Sequence, residues 1–506
     1  MRIIYIPIDE RPCNTLVVKR IANSSRDLEL VMPPIHLLSN KKTPAAVERL
    51  WSWIIDNASE VDSLILSLDM LIYGGLIPSR LHEMEKKTGD KWLKRLRDFQ
   101  RQFPNISIYA SNMIMRTPKY SSNDEEPDYY ADWGRELFLR AYLTDKEEKH
   151  LISEEESRQL QEISHSLPNT YIENYERRRR FNSRMNQCVL ELVKDGVVTF
   201  LAIPQDDSAE FGYTAKDQHA VLKRRGELQL YNQVHIYPGA DEVGATLLAR
   251  AYNDYYHSTP SIYPIWSSTL GAQLIPLYED RPFYESLKAH TMAAGCRLTD
   301  DPDEADLILA YNTPGKIMQE SWEQYQKDIT YDSFRNLSMF VENMKGFVCQ
   351  GKQLIIADSA YANGGDHELI IRLDQAGILD KMLSYKGWNT NGNTLGTTIS
   401  QGVLGLSHTN TLKIKENIIY HLLDDYFYQA ELRMKLAEEI LPAYQLTYFD
   451  LKDQAEMIDR IRDKLLLKRF RETITNSFNQ TSIQIHTYAP WNRMFECGIE
   501  LEVQHY

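Results

Sequence analysis

"VVTFLAIPQDDSAEFGYTAKDQHAVLKRRGELQLYNQVHIYPGADEVGATLLARAY", residues 197–252, runs twice through one cycle. An apolar, β-branched run (197–204, then 234–237) ends in a polar turn, and a helical stretch follows. Strands that are apolar throughout must be covered on both faces, and strand–helix alternation feeds parallel neighbours. The stretch therefore predicts an α/β fold with mainly parallel strands.

The same cycle extends in both directions. Towards the N-terminus lie "IIYIPI" (3–8), "LELVMP" (28–33), "SLILSL" (63–68) and "ISIYAS" (106–111). Beyond it lie "SIYPIW" (261–266), "LILAY" (307–311), "QLIIA" (353–357) and "MLSYKGW" (382–388). Ten strands exceed the eight of one (β/α)-barrel. The expected organisation is an N-terminal α/β domain over 1–258, barrel-like or doubly wound, and a smaller doubly wound, Rossmann-like domain over 259–408. A helical extension with a terminal β-hairpin fills 409–506. A single barrel absorbing the later strands is the alternative. Residues 121–195, rich in Glu, Arg and Lys and without a strand-like run, read as a helical insertion that opens with "YSSNDEEPDYY". The last residues, "SIQIHTYAPWNRMFECGIELEV", alternate as a hairpin turning at "APWNR".

Whole-chain properties narrow the function. The 506 residues carry 57 Lys+Arg against 71 Asp+Glu, a formal net charge of −14, which argues against nucleic acid or an anionic membrane as partner. The basic run Arg177–Arg180 lies in helical sequence and reads as a solvated or carboxylate-paired face. Five scattered cysteines without CxxC spacing indicate neither a disulfide framework nor a zinc cluster. The N-terminus starts directly on a strand pattern and no run approaches a membrane span, so the expectation is a cytoplasmic, unanchored protein.

Ligands of parallel α/β sheets bind at the carboxyl ends of the strands, so the turns there are the candidate sites. Asp, Asn and Ser in such turns also cap the next helix, and Gly supplies the bend. Several turns hold more than capping requires: paired acids at Asp9/Glu10, Asp206/Asp207 and Asp241/Glu242, arginines at Arg11 and Arg80, and Trp388 beside Asn389, Asn391 and Asn393. Carboxylates, amides, Arg and aromatic faces without a phosphate cradle suit a neutral polyhydroxylated ligand, because hydroxyls take donors and acceptors in pairs and a pyranose face packs on Trp or Tyr. No GxGxxG follows a strand and no GxxxxGK[ST] occurs, so no nucleotide is expected. Asp206, Asp207, Asp358, Asp366 and His367 offer metal-ligand chemistry, but no ligand spacing fixes a site; neither metal nor cofactor is expected.

"VHIYPGADEVG" resembles the strand-to-turn motif of the β-N-acetylhexosaminidases, an apolar strand ending in Gly-Gly-Asp-Glu-Val. The resemblance implies Glu242 as general acid and Asp241 as the group orienting a substrate 2-acetamido nucleophile; Ala240 stands where that motif has its second Gly. Glycoside cleavage needs one carboxyl that keeps its proton and one carboxylate. The turns "DERPCN", "LDMLIYGGLIPSR", "IPQDDSAEFGY", "PGADEVGA", "GWNTNGNTLGT" and "PWNRMFE" together resemble an uncharacterised bacterial family, domain of unknown function 4127, which brings no established activity.

The resulting expectation is an intracellular glycoside hydrolase, exo-acting on an N-acetylated sugar, with Asp241, Glu242 and Asp207 catalytic. Asp9, Arg11, Asp69, Arg80, Asn112, Asp206, Asp358, Trp388, Asn389 and Asn393 would bind substrate. A metal-dependent hydrolase using Asp206, Asp207 and Asp358, and a non-catalytic sugar-binding protein, stay open. Tyr-rich helices and "PWNRMFE" can serve a homo-oligomer contact or a core equally.

Overall fold

A computed structural model describes residues 1–505. Each of the ten apolar runs forms a strand. In chain order the strands are β1 (Arg2–Ile6), β2 (Glu29–Val31), β3 (Ser63–Ser67), β4 (Ser107–Ser111), β5 (Phe200–Gln205), β6 (Val234–Pro238), β7 (Ser261–Trp266), β8 (Arg297–Leu298), β9 (Leu307–Asn312), β10 (Gln319–Glu320), β11 (Gln353–Asp358), β12 (Tyr361–Ala362), β13 (Ser384–Lys386), β14 (Thr481–Tyr488) and β15 (Gly498–His505). The runs missing from the sequence reading, β8, β10 and β12, have two residues each, too short to leave a periodic signal.

The chain divides into two compact units. The first comprises Met1–Glu10, Leu30–Leu247 and Tyr278–Asp280, and the second Arg11–Glu29, Leu248–Leu277 and Arg281–Tyr506. The boundary thus falls inside the helix Val243–Tyr256. Arg11–Glu29 joins the second unit through backbone bonds from Arg26 N–H to the His408 carbonyl (2.8 Å) and from Asn410 N–H to the Ser24 carbonyl (2.9 Å).

The first unit is built on an open sheet in the order β2-β1-β3-β4-β5-β6, with β1, β3, β4, β5 and β6 parallel. Ile4 pairs with Leu64 and Ile65 with Tyr109, so the all-apolar runs align. β1, β3, β5 and β6 are buried nearly end to end, and helices carrying Leu50, Trp51, Leu96, Met185 and Val189 complete that core. Residues 121–195 form three helices, Tyr130–Glu148, Glu154–Ser166 and Asn169–Lys194.

The second unit contains a parallel sheet in the order β13-β11-β9-β7-β8. Counted from β7, this is 2-1-3-4-5, the order seen in the first unit from β1 onward. Both are open, doubly wound sheets; neither closes into a barrel. In this winding the ligand crevice lies at the carboxyl ends, where the connections reverse between the first and third strands. The C-terminal segment includes a π-helical stretch, Leu422–Leu432. There the Asp425 carbonyl accepts from Gly365 N–H (2.9 Å) and its carboxylate from Gly387 N–H (2.8 Å), which ties down the loops that follow β11 and β13. β14 and β15 form the antiparallel terminal hairpin. No helix among the described residues is long and apolar enough to cross a membrane.

Candidate active site at the carboxyl edge of the first sheet

The turn after β3 starts with a cap: Ser67 Oγ accepts from Met70 N–H (3.3 Å) and opens the short helix Leu68–Tyr73. Gly74 ends it at φ 89°, where an added Cβ would meet Pro44 Cβ at 2.6 Å, so the glycine pair of "YGGL" is a steric requirement. This geometry holds Asp69 inside, 2% exposed. Its carboxylate accepts from Met113 N–H (2.9 Å) and Asn112 Nδ2 (3.3 Å), while Asn112 Oδ1 accepts from Asn186 (2.8 Å). Burial pushes the Asp69 carboxyl up to about 7, overriding those bonds.

The chain then delivers Arg80, also 2% exposed, from the single turn Pro78–Arg80. Its guanidinium bonds Asp206 (2.6 Å), Glu125 (2.9 Å) and Glu126 (3.3 Å). Arg116, from the turn after β4, bonds Glu126 (2.8 Å), Glu125 (3.0 Å) and Asp207 (3.4 Å). Two guanidinium groups therefore hold four carboxylates, an excess of acid that favours keeping one proton in the cluster.

Within the cluster the raised carboxyl is that of Asp207. Burial, with Asp206 next to it, pushes its carboxyl up to about 6. The Asp207 side chain is 28% exposed, against 12% for Asp206, 16% for Glu125 and 1% for Glu126. Its backbone sits at φ 44°, a left-handed conformation that Asp tolerates better than most residues. Strain of this kind collects at functional positions.

After β6, Glu242 stands just before the helix Val243–Tyr256 and is completely buried. Its carbonyl accepts from Thr246 N–H (2.9 Å), and its carboxylate turns back to accept from Ala240 N–H (2.8 Å). A Cβ on Gly239 would lie 2.1 Å from Glu242 Oε1, so the small residues of "PGA" make room for this fold-back. Asp241 beside it is 5% exposed, and Asp9, after β1, is 1% exposed.

The sequence candidates thus separate. Asp69, Arg80, Asn112, Asp206 and Asp207 fall into two hydrogen-bonded groups at this edge. Arg116, Glu125, Glu126 and Asn186 join them, none of them a candidate from sequence; the visible signals for three of them were the acid pair in "YSSNDEEPDYY", read as the opening of the helical insertion, and the arginine in the polar turn "NMIMRTP" (112–118) after β4.

Asp358, Trp388, Asn389, Asn393 and Arg11 belong to the second unit. Asp358 accepts from Asn312 (2.8 Å), Asp366 N–H (2.8 Å) and the Tyr385 hydroxyl (3.0 Å). Burial, with Asp366 nearby, raises it to about 7. Asn393 is buried inside the helix Asn391–Leu406, capped by Thr390. The Asn389 carbonyl accepts from Asn363 N–H (2.9 Å), and the Trp388 carbonyl from Thr394 Oγ1 (2.9 Å). Arg11 lies over the Trp491 ring (4.8 Å) and bonds Glu496 (3.2 Å) in the segment joining β14 to β15. Among the described residues no group of three or more His, Cys, Asp or Glu is arranged to hold a metal ion.

No curated protein and no solved structure matches the chain. Residues 3–500 match the model of one family, described as protein of unknown function (DUF4127); with nearly its whole length covered, the chain belongs to that family.

Proposed function

We propose that this protein hydrolyses a glycosidic bond in the cytoplasm, with Asp207 as the proton donor. Support comes from one observation above all: Asp207 is the most exposed carboxyl of a four-acid, two-arginine cluster, and burial beside Asp206 holds its proton to about pH 6. Cleavage of a glycoside builds positive charge on the sugar ring and negative charge on the leaving oxygen. A protonated Asp207 supplies the proton to that oxygen. Asp206 and Glu125, fixed by Arg80 and Arg116, supply the stabilising negative charge without having to reorganise.

Glu242 receives a different part from the one its motif suggests. A carboxylate that caps Ala240 N–H shapes the turn that presents Asp241. In the narrower form of the reading, Asp241 orients the acetamido group of an N-acetylated sugar.

The test uses wild type, Asp207→Asn and Glu242→Gln, each with and without EDTA, on aryl glycosides of graded leaving-group acidity, N-acetylated ones included. The expected result is turnover that survives EDTA and collapses in Asp207→Asn for poor leaving groups, with recovery for activated ones, because a good leaving group needs no proton. Inactivity of the wild type on every glycoside refutes the reading. Loss only on EDTA treatment transfers it to a metal-dependent hydrolase, and saccharide binding without turnover to a binding protein.

A further inference from the structure

The second unit carries an exposed aromatic that nothing above uses. Tyr325 is 70% exposed on the tight helical turn Ser321–Gln326. The turn is pinned on several sides. Ser321 Oγ bonds the Asn363 carbonyl (2.7 Å), Gln324 Nε2 bonds the Ser321 carbonyl (2.7 Å), and Gln324 Oε1 accepts from His367 N–H (2.8 Å). An aromatic ring held out on a fixed turn loses little freedom when a ligand stacks on it.

Tyr325 also lines two cavities of about 410 Å³ each. One is lined by Arg335, Tyr361, Asp366 and His367, the other by Trp322 and Gln326. In the first, Arg335 and Asp366 are bonded to each other, which sets a donor beside an acceptor, and Arg335 Nε has no hydrogen-bond partner among the described residues. His367 uses Nδ1 on the Tyr426 hydroxyl and Glu431, which leaves Nε2 for a ligand. Each cation of the wall has a carboxylate partner: Arg335 has Asp366, Arg372 has Glu368 (2.7 Å), and Lys327 has Glu368 (3.3 Å) and Asp332 (2.5 Å), the last not itself a lining residue. Balanced charge disfavours phosphate or a polyanion. Paired donors and acceptors around aromatic faces favour hydroxyls on a ring.

We propose that this surface is a saccharide-binding site of its own, in which Tyr325 stacks on one pyranose and adjacent sugars of the same chain occupy the two cavities. The ligand is an uncharged oligosaccharide of at least two residues. The site deepens the glycosidase reading by making its substrate a chain, and it rests on that reading only for the ligand class.

Calorimetry and saturation-transfer NMR on the full chain with maltotriose, cellotriose, chitotriose and xylotriose, with inorganic phosphate as competitor, test it. One trisaccharide should bind with saturation concentrated on one ring face. Tyr325→Ala should weaken that binding about tenfold, whereas Tyr325→Phe, which keeps the stack, and Asp207→Asn should leave it intact. Absence of binding by all four, binding unchanged in Tyr325→Ala, or displacement by phosphate overturns the proposal. A wild type that cleaves no glycoside but loses its trisaccharide with Tyr325→Ala refutes the hydrolase and keeps this site. Hydrolysis with binding indifferent to Tyr325 does the reverse.

Discussion

The two sheets share one winding order but end in different chemistry. At the first edge two arginines divide their bonds among four carboxylates, and one acid, Asp207, stays partly exposed with its carboxyl pushed up to about 6. At the second, Asp358 has its oxygens filled by Asn312, Asp366 N–H and Tyr385, and Arg335 closes on Asp366. The first arrangement has a proton to give. The second locks loops together. Strand order places polar turns at an edge; only the residues there decide whether the edge reacts.

The sharpest way to break this contrast is to neutralise each edge in turn. Asp207→Asn should lower turnover of a poorly activated glycoside by about 10²–10⁴-fold, while the fold survives because Asn also tolerates φ 44°. In the wild type, turnover should fall as pH rises through about 6, where Asp207 loses its proton; a rate profile that is flat there removes Asp207 from the role.

Arginine removal comes next. Arg80→Ala leaves Asp206, Glu125 and Glu126 short of a counter-charge at a buried site and should cost about 3–5 kcal/mol in denaturant unfolding. Arg335→Ala strands one acid, Asp366, which still accepts from Asn312 (3.1 Å) and Glu368 N–H (3.0 Å), and should cost less. Equal losses would mean the two clusters bear load alike.

A smaller effect belongs to Asp358→Asn. Its new amide faces donors on Asp366 and Tyr385, so stability should drop by about 1–3 kcal/mol with turnover per folded molecule unchanged.

The remaining effect is a slope. The Asp69 and Asp358 carboxyls rise from 3.8 to about 7 on folding, so the folded state binds the extra proton. Their stabilisation is complete below about pH 3.8 and is lost as pH rises through about 7. Thermal melts across that window should flatten in Asp69→Asn and Asp358→Asn separately, which divides the slope between the two edges. Absence of flattening in both would put the slope elsewhere.

What the sequence by itself determined is local. Each long apolar run became a strand, because burial on both faces leaves an uninterrupted β-branched stretch, and the terminal hairpin followed from strict alternation. The polar turns were also legible, as was membership of the family, which lies in those turns. Tertiary structure decided which strands neighbour which, that neither sheet closes, and which charges meet. Arg80 bonds acids 45, 46 and 126 residues away, and no spacing announces such a pair. It also separated the acid pairs: "QDD" left one carboxyl partly exposed with its proton, whereas in "GADE" the Glu242 carboxylate turned onto its own backbone. Periodicity is written residue by residue, but the environment that sets a carboxyl's proton affinity is assembled from distant segments.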